Sequence, residues 1–569
     1  MKKFVDRIAS DDSCGWSGGF DLVLGNPPWD TLSPDAKEFF SRYDERVRFQ
    51  SKGEQEITLS AMLQDVSIAT AWAQNRRNLF ATAFFLKESG RYTLFAPGNL
   101  GKGDFNVYRM FVELALRSVR DGGRAAQIVP EGLYSGANSM ALRKKLFDSF
   151  RLDWLLGFEN AKEIWFTSVD SRTKFTLYSA FRGGHTEEFR AAFCIRSPDE
   201  LRAIMAEASM KLPVAMVREF SPDALAVMEF CGQRDIDIAR KMYQHAPPLG
   251  LQIPGTPRRE FLRELESGHV QELLTEDSSC LPHYEGRMIE QYDHRAKGYC
   301  SGRARSAVWA ELPFGSADKG IKPQWYVPRD KIPAQARLRV DQYRAGFCDV
   351  ASPTNERTLV ATIIPPQSIA GDKVPTVLMR SPNPTADLLL WLAIANSFTM
   401  DFLVRMKVSL KMALTILDSL PFLRLSPDDA RAKRLTAAAL RLVCTGPEMI
   451  GLWNLMAAQG LVSEVSLEGP VPGIIDAEQR QNAIAEIEAE VAILYGLTAE
   501  DVAYIMETFL TVKRRDIAAH GDYRTKYLIL DRYDRMQQAI IAGQPYETAL
   551  DQPPSDARVA HPTRGPGVA

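Results

Sequence analysis

The most constraining feature of this chain is a short apolar run, Phe20–Leu24 (FDLVL), stopped at once by Gly25, Asn26, Pro27 and Pro28. A run of that length without polar alternation suits a strand buried on both faces of a parallel sheet. Proline cannot donate to a strand ladder, so the ladder must end where the prolines begin. Residues just after such a strand are presented at the carboxyl edge of the sheet, where open α/β sheets place their ligands. Asn26, Pro27, Pro28 and Trp29 are therefore the first candidates for chemistry.

More runs of this kind follow. Ala125–Pro130 (AAQIVP) is again stopped by proline, and Asp153–Phe158 (DWLLGF) and Lys174–Phe181 (KFTLYSAF) read as two further strands. Between them, Val107–Arg120 sets Tyr108, Phe111, Val112, Ala115, Leu116 and Val119 on one helical stripe, read as core, and Asp121, Gly122 and Gly123 supply its cap and turn. A second helix is expected over Met140–Phe150. Strand, helix, strand, helix, strand, strand predicts an α/β sheet, placed in a first domain at 1–215.

From 216 to 435 the texture is irregular and rich in Pro, Trp, Tyr and Arg, with a helix expected over Ala386–Met412. After 435 helical periodicity returns, in LTAAALRLV, Ala477–Leu497 and Ala499–Phe509, giving further domains at 216–435 and 436–550. The polar, Pro-rich 551–569 is expected to be a disordered tail.

Charge and cysteines narrow the classes. The 569 residues hold 69 Lys+Arg against 71 Asp+Glu, a net charge of -2, which excludes a globally basic nucleic-acid coat but leaves room for local basic patches. The longest apolar run, Leu388–Ala395, is far below the ~20 residues that cross a bilayer. MKKFVDRIASDDSCGW turns polar before an apolar stretch of ~7 residues develops. A cytoplasmic protein with no membrane partner is the expectation. The 7 cysteines are scattered without zinc spacing, so no metal site is expected, and they read as reduced, buried small residues.

Asn26-Pro27-Pro28-Trp29 after a buried strand resembles motif IV of the amino-group DNA methyltransferases, (D/N/S)PP(Y/F/W), in its adenine-N6 form. The residue types make chemical sense. The exocyclic amine of adenine is a poor nucleophile because its lone pair is delocalised into the ring. The Asn26 side-chain oxygen and the Pro27 carbonyl can accept its two N–H bonds and aim the lone pair outward. The prolines stiffen the loop, and Trp29 offers a face to a base swung out of the duplex. Without such chemistry, Asn26 would be an ordinary turn residue.

The resemblance extends further, through Gly101–Gly136, where Asp104, Asn106, Tyr108 and Phe111 lead a helix, and through KEIWFTSVDSRTKFTLYSAF. In the second stretch Phe175 is the candidate for the second aromatic of the target-base pocket, although taken alone it reads as a core strand residue. LPHYEGRMIEQYDHR, ASPTNERTLVATIIP and ILYGLTAEDVAYIMETF continue the likeness, in the order of the large Eco57I-type methylase-specificity proteins. That family implies a partial Rossmann-like methyltransferase sheet from motif IV onward, a mixed α+β target-recognition domain and a helical C-terminal region. It implies site-specific DNA adenine-N6 methylation in a restriction-modification or phage-defence system. The methyl donor would be S-adenosylmethionine, and the partner double-stranded DNA with a flipped adenine.

The family's donor-binding signatures, an FxGxG turn and two acidic residues, precede motif IV, and no counterpart stands before Asn26. Cys14–Gly19 (CGWSGG) has glycines but no preceding strand, and Gly98–Asp104 (GNLGKGD) is not a phosphate loop. No PD...(E/D)xK nuclease arrangement is present either. The donor site is thus expected to be mostly missing, Phe20–Leu24 to form an apolar sheet edge, and a further polypeptide to carry the missing half. The isolated chain is expected not to bind S-adenosylmethionine. The alternative is a non-catalytic DNA-binding specificity subunit, or an inactive remnant of a split methyltransferase.

For DNA contact, Lys319–Arg344 carries Lys319, Lys322, Arg329, Lys331, Arg337, Arg339 and Arg344 against Asp318, Asp330 and Asp341, interleaved with Trp325 and Tyr326. Lys322, Trp325, Arg329, Arg337, Arg339 and Arg357 are the candidates for phosphate and base contacts, with Arg287 and Arg295 beside them. Arg405, Lys407 and Lys411 are candidates to track the backbone. A solvated charged surface is the competing reading.

Overall fold

The computed structural model describes residues 18–50, 52–94, 105–167, 169–266, 270–303, 306–408, 411–426, 428–466 and 470–548. The N-terminal segment read for targeting, most of the CGWSGG stretch, the GNLGKGD stretch and the tail at 551–569 lie outside them. The chain divides into two compact units, Met1–Gln233 and Arg234–Ala569. The boundaries drawn from texture at 215 and 435 both fall inside helices, Val214–Phe220 and Ala430–Val443.

The first unit is built on a six-stranded mixed sheet of β1 (Phe20–Gly25), β2 (Val119–Pro130), β3 (Phe150–Glu159), β4 (Lys174–Arg182), β5 (Glu188–Ile195) and β6 (Met210–Pro213), in the order β1-β2-β4-β3-β5-β6. β1 and β2 run parallel, and β4 is antiparallel to both β2 and β3. The helix Tyr108–Ser118 buries Tyr108, Val112, Ala115 and Leu116 as its periodicity requires. Phe111, read as core, is 36% exposed instead. The expected turn at Asp121–Gly123 is taken into β2, where the ladder to β1 shifts register between Phe20 and Leu22. A Cβ on Gly123 would lie 2.8 Å from the Phe20 carbonyl oxygen and 2.9 Å from that of Asp21, so a bare backbone is what lets the strands meet.

β1 is not the doubly covered strand its composition suggested. Among the described residues it pairs with β2 alone, at the end of the sheet, and Leu22 and Leu24 are 55% and 75% exposed. The helix Val66–Glu88 also exposes Phe80, Phe84 and Phe85.

The second unit holds β7 (Arg258–Leu262), β8 (Leu281–Tyr284), β9 (Lys297–Ser301), β10 (Val308–Glu311), β11 (Tyr326–Val327), β12 (Arg344–Phe347), β13 (Ala361–Ile364), β14 (Ile369–Ala370) and β15 (Thr376–Arg380). They form a four-stranded sheet, β13-β12-β15-β7, a three-stranded sheet, β11-β8-β14, and a hairpin of β9 and β10. The helix expected over Ala386–Met412 is two helices, Pro384–Ala395 and Phe398–Arg405, meeting at 65°. Ser397 N-caps the second by accepting from Met400 N. Asn396, at the break, donates from Nδ2 to the Ala361 carbonyl (2.9 Å) and accepts from Ala361 N (3.0 Å), tying the bend to β13. Among the described residues, no single helix is long and apolar enough to cross a membrane.

The helices Ala430–Val443, Ala477–Leu494 and Arg524–Ala542 pack in series behind Pro384–Ala395, which is why the C-terminal helices and the middle sheets share one unit. Of the described cysteines only Cys444 is fully buried, and Cys231 and Cys300 are exposed.

Candidate functional site

Topology gathers the site. Parallel pairing sets Gly25 beside Gln127, and antiparallel pairing sets Phe175 beside Pro130, so Asn26 and Phe175, distant in sequence, share one end of the first sheet. Asn26 is exposed, Pro27 is buried and Trp29 is half-buried. The loop is pinned from across the chain. Asn106 Nδ2 donates to the Trp29 carbonyl (2.7 Å), Val107 N to that of Asp30 (2.9 Å), and Leu32 N to that of Phe105 (3.0 Å). Asn106 also accepts from Tyr108 N (3.2 Å), which places the helix Tyr108–Ser118 directly behind the loop.

Behind Trp29 lies an aromatic cluster. Its ring centroid is 5.5 Å from Phe166, edge to face, and 5.9 Å from Phe175, tilted by 33°. Phe175 stacks on Phe158 at 4.9 Å and is 3% exposed. Two rings enclosing a base need roughly 7 Å between them, twice the optimal carbon–carbon separation. Trp29 and Phe175 are closer than that, so Phe175 is the wall against which Trp29 leans, and the expected sandwich is not formed. The half-buried rings at this end are Trp29, Trp165 and Phe166, and the indole N–H groups of Trp29 and Trp165 are buried without a hydrogen-bond partner.

Phe166 and its loop were missed in the sequence. Asn160, fully buried, donates to the carbonyls of Phe166 and Val169 (both 2.9 Å) and accepts from Phe166 N (3.0 Å), shaping the turn between β3 and β4. The available signal was a Trp-Phe pair inside an otherwise polar stretch. Next to Phe175, Lys174 contacts Glu229 at 2.5 Å. Burial disfavours its ammonium, but the Glu229 carboxylate outweighs this and raises its pKa. Lys174 is therefore a fixed cation and not a base.

The basic candidates of the second unit separate by environment. Lys322, Arg329 and Arg337 are exposed, with Arg329 held on Asp341 at 2.6 Å. Trp325 is half-buried. Arg339 is buried, donating to the carbonyls of Thr376 (3.2 Å) and Glu260 (2.9 Å). Arg357 is buried over the Phe398 ring, near Asp401 (3.5 Å) and Glu488 (3.7 Å). Arg295 donates to the Lys319 and Thr445 carbonyls inside the fold. Arg405 donates to the carbonyls of Asn355 and Glu356, and Lys407 to Ser419 Oγ. Arg295, Arg339 and Arg357 serve the interior, and their charges are spent on protein partners, not on phosphates.

No known family model matches this chain, and no curated protein matches it. The solved structures it is similar to include restriction-modification proteins. The type IIL enzyme MmeI in complex with DNA is 12% identical, with 86% of this chain and 57% of that one covered at a TM-score of 0.38. The type IIG restriction endonuclease BpuSI is 13% identical, with 86% and 55% covered at 0.27. A modification subunit of a putative type I restriction enzyme from Vibrio vulnificus YJ016 is 16% identical, with 21% and 30% covered at 0.18. The chain spans less than two thirds of each of them. Likenesses this distant do not carry chemistry from one protein to another.

Proposed function

We propose that this chain is the acceptor-binding and target-recognition part of a site-specific DNA adenine-N6 methyltransferase of a restriction-modification system. The observation that carries the reading is the loop Asn26-Pro27-Pro28-Trp29 at the carboxyl end of β1, with Asn26 exposed and the backbone pinned by the Phe105–Val107 segment. Asn26 Oδ1 and the Pro27 carbonyl accept the two hydrogens of an exocyclic amine, and Trp29 stacks on the ring. Held this way, the nitrogen is pyramidalised before reaction, so the reorganisation cost falls on binding. S-adenosylmethionine supplies the electrophilic methyl group when bound. The described residues do not make a full cradle for it, because the flank of β1 away from β2 is open, with Leu22 and Leu24 on the surface. A further polypeptide segment that pairs with this edge supplies the donor side.

The test is methylation of plasmid DNA by the chain alone and together with the product of the adjacent upstream gene. Activity that requires the second protein supports the reading, and activity of the chain alone overturns the shared donor site. In the active combination, Asn26→Ala should cut methylation by at least about 100-fold, the scale for loss of one polar group aimed at a reacting centre, while DNA binding is retained. A variant that methylates normally overturns the mechanism. The exposed β1 edge also favours a second reading, a DNA-binding specificity subunit without catalysis. That reading is supported if neither combination methylates DNA and binding persists.

A further inference from the structure

The second unit contains a cavity of about 680 Å³ whose lining is unlike a solvent cleft. Its floor is the end of β8 and the residues that follow. His283 is 6% exposed, and neither of its ring nitrogens has a hydrogen-bond partner. Glu285 Oε1 is likewise buried and unpartnered. Each such group costs roughly 1–3 kcal/mol if left unsatisfied. Such groups on His283 and Glu285, two residues apart beside a cavity of ligand size, mark a place built to receive hydrogen bonds. Burial lowers the His283 pKa to about 4, so the imidazole is neutral near pH 7 and offers one donor and one acceptor. A Cβ on Gly371 would come within 2.6 Å of His283 Nε2, so any other residue there would press on the ring.

The rim complements the floor. Trp325 gives a half-buried aromatic wall, with the Arg303 guanidinium 5.7 Å from its ring centroid. Arg287 and Lys373 are exposed on the same rim. The three exposed cations now sit near carboxylates, Arg303 on exposed Glu276, Arg287 on half-buried Glu285 and Lys373 on half-buried Asp372. Pairs so exposed contribute at most about 1 kcal/mol, and a doubly charged anion displaces them readily.

A flat aromatic face, a neutral imidazole and a carboxylate acceptor in depth and cations at the mouth are together the complement of a base carrying a phosphate. We propose that this cavity binds a nucleotide, its base against Trp325 and within reach of His283 and Glu285, its phosphate at Arg287, Arg303 and Lys373. The nucleotide is either an unpaired unit of a DNA strand or a free nucleotide. This goes beyond the methylation reading and does not depend on it, since Asn26 takes no part.

The test is calorimetric titration of the full chain with each deoxynucleoside 5′-monophosphate, with the corresponding nucleosides, and with a short duplex with or without one unpaired nucleotide. At least one monophosphate should bind saturably, and Trp325→Ala should weaken it about tenfold or more, the size of one lost base–aromatic stack. Arg303→Ala, at an exposed position, should weaken the monophosphate but not the nucleoside, and Asn26→Ala should change neither. Preference for the duplex with an unpaired nucleotide, competed by the monophosphate, assigns the site to DNA. Monophosphate binding without that preference assigns it to a free nucleotide. No saturable binding of any probe at millimolar concentration, or binding unchanged in both Trp325→Ala and Arg303→Ala, overturns the proposal and leaves a cavity filled by water.

Discussion

The loop after β1 and the basic segment Lys319–Arg344 are equally conspicuous in sequence, yet they end in opposite surroundings. Asn26 stands out to solvent at the end of its strand, its loop stiffened by its own prolines. In the basic segment, Lys319, Arg339 and Arg344 turn inward at 5%, 7% and 0% exposure, leaving Lys322, Arg329, Lys331 and Arg337 at the surface. Arg344 is bidentate to Glu264, which is also fully buried, and donates to the carbonyls of Pro365 and Ser368. A contiguous motif carries its own placement. A cation's placement is decided by a carboxylate that can lie anywhere in the chain.

The sharpest way to break this contrast is to remove an inward cation. Arg344→Met leaves the buried Glu264 without its ion-pair partner, keeping only the Ala370 N–H and the Thr376 hydroxyl, with an expected loss of about 3–5 kcal/mol in urea unfolding of the second unit; a change below about 1 kcal/mol, the surface-pair value, would return Arg344 to the surface class. Next comes the aromatic cluster. Phe175→Ala should cost about 3 kcal/mol or more, as core truncations do, and Phe175→Leu much less. Equal loss of the proposed methylation with no loss of stability in both would instead make Phe175 a contact to the base.

His283 sharpens the comparison through pH. Its folded pKa is lowered to about 4 by burial, below the ordinary value of 6.5, and Asp372 offsets this only in part. Between those values the unfolded chain binds more protons, so the stability tied to neutral His283 is fully present above about pH 6.5 and is lost as pH falls toward 4. The difference in urea midpoint between wild type and His283→Gln should therefore shift against the wild type from pH 7 to pH 5, and a constant difference would refute the burial effect. The smallest effect belongs to the surface. Arg329→Ala should change stability by less than about 1 kcal/mol, while reducing the salt slope of DNA binding by about one unit if Arg329 contacts a phosphate.

Four of the six strands of the first sheet were readable because each is a short apolar run ended by proline, glycine or a charged turn, whereas β5 and β6 went unread. The exposed loop at Asn26 was readable because its residues are contiguous. Phe111 misled because helical spacing marks a face without saying whether anything covers it. The break at Asn396 was invisible because apolar residues continue on both sides of it. The cavity floor was invisible too, since His283 and Glu285 become unusual only through what fails to pair with them.

Asn396 also shows how differently the two units treat an exposed strand. Its amide donates to and accepts from Ala361, reproducing on the outer flank of β13 the pair of bonds that a neighbouring strand would make. That side chain, together with the Tyr292 N–H that also donates to the Ala361 carbonyl (3.1 Å), covers this flank of β13. β1 has no comparable stopper among the described residues, and its outward leucines make it adhesive. Freshly made copies of this chain are therefore at risk of pairing with each other through β1, and their yield as soluble protein should depend on whether that edge is covered.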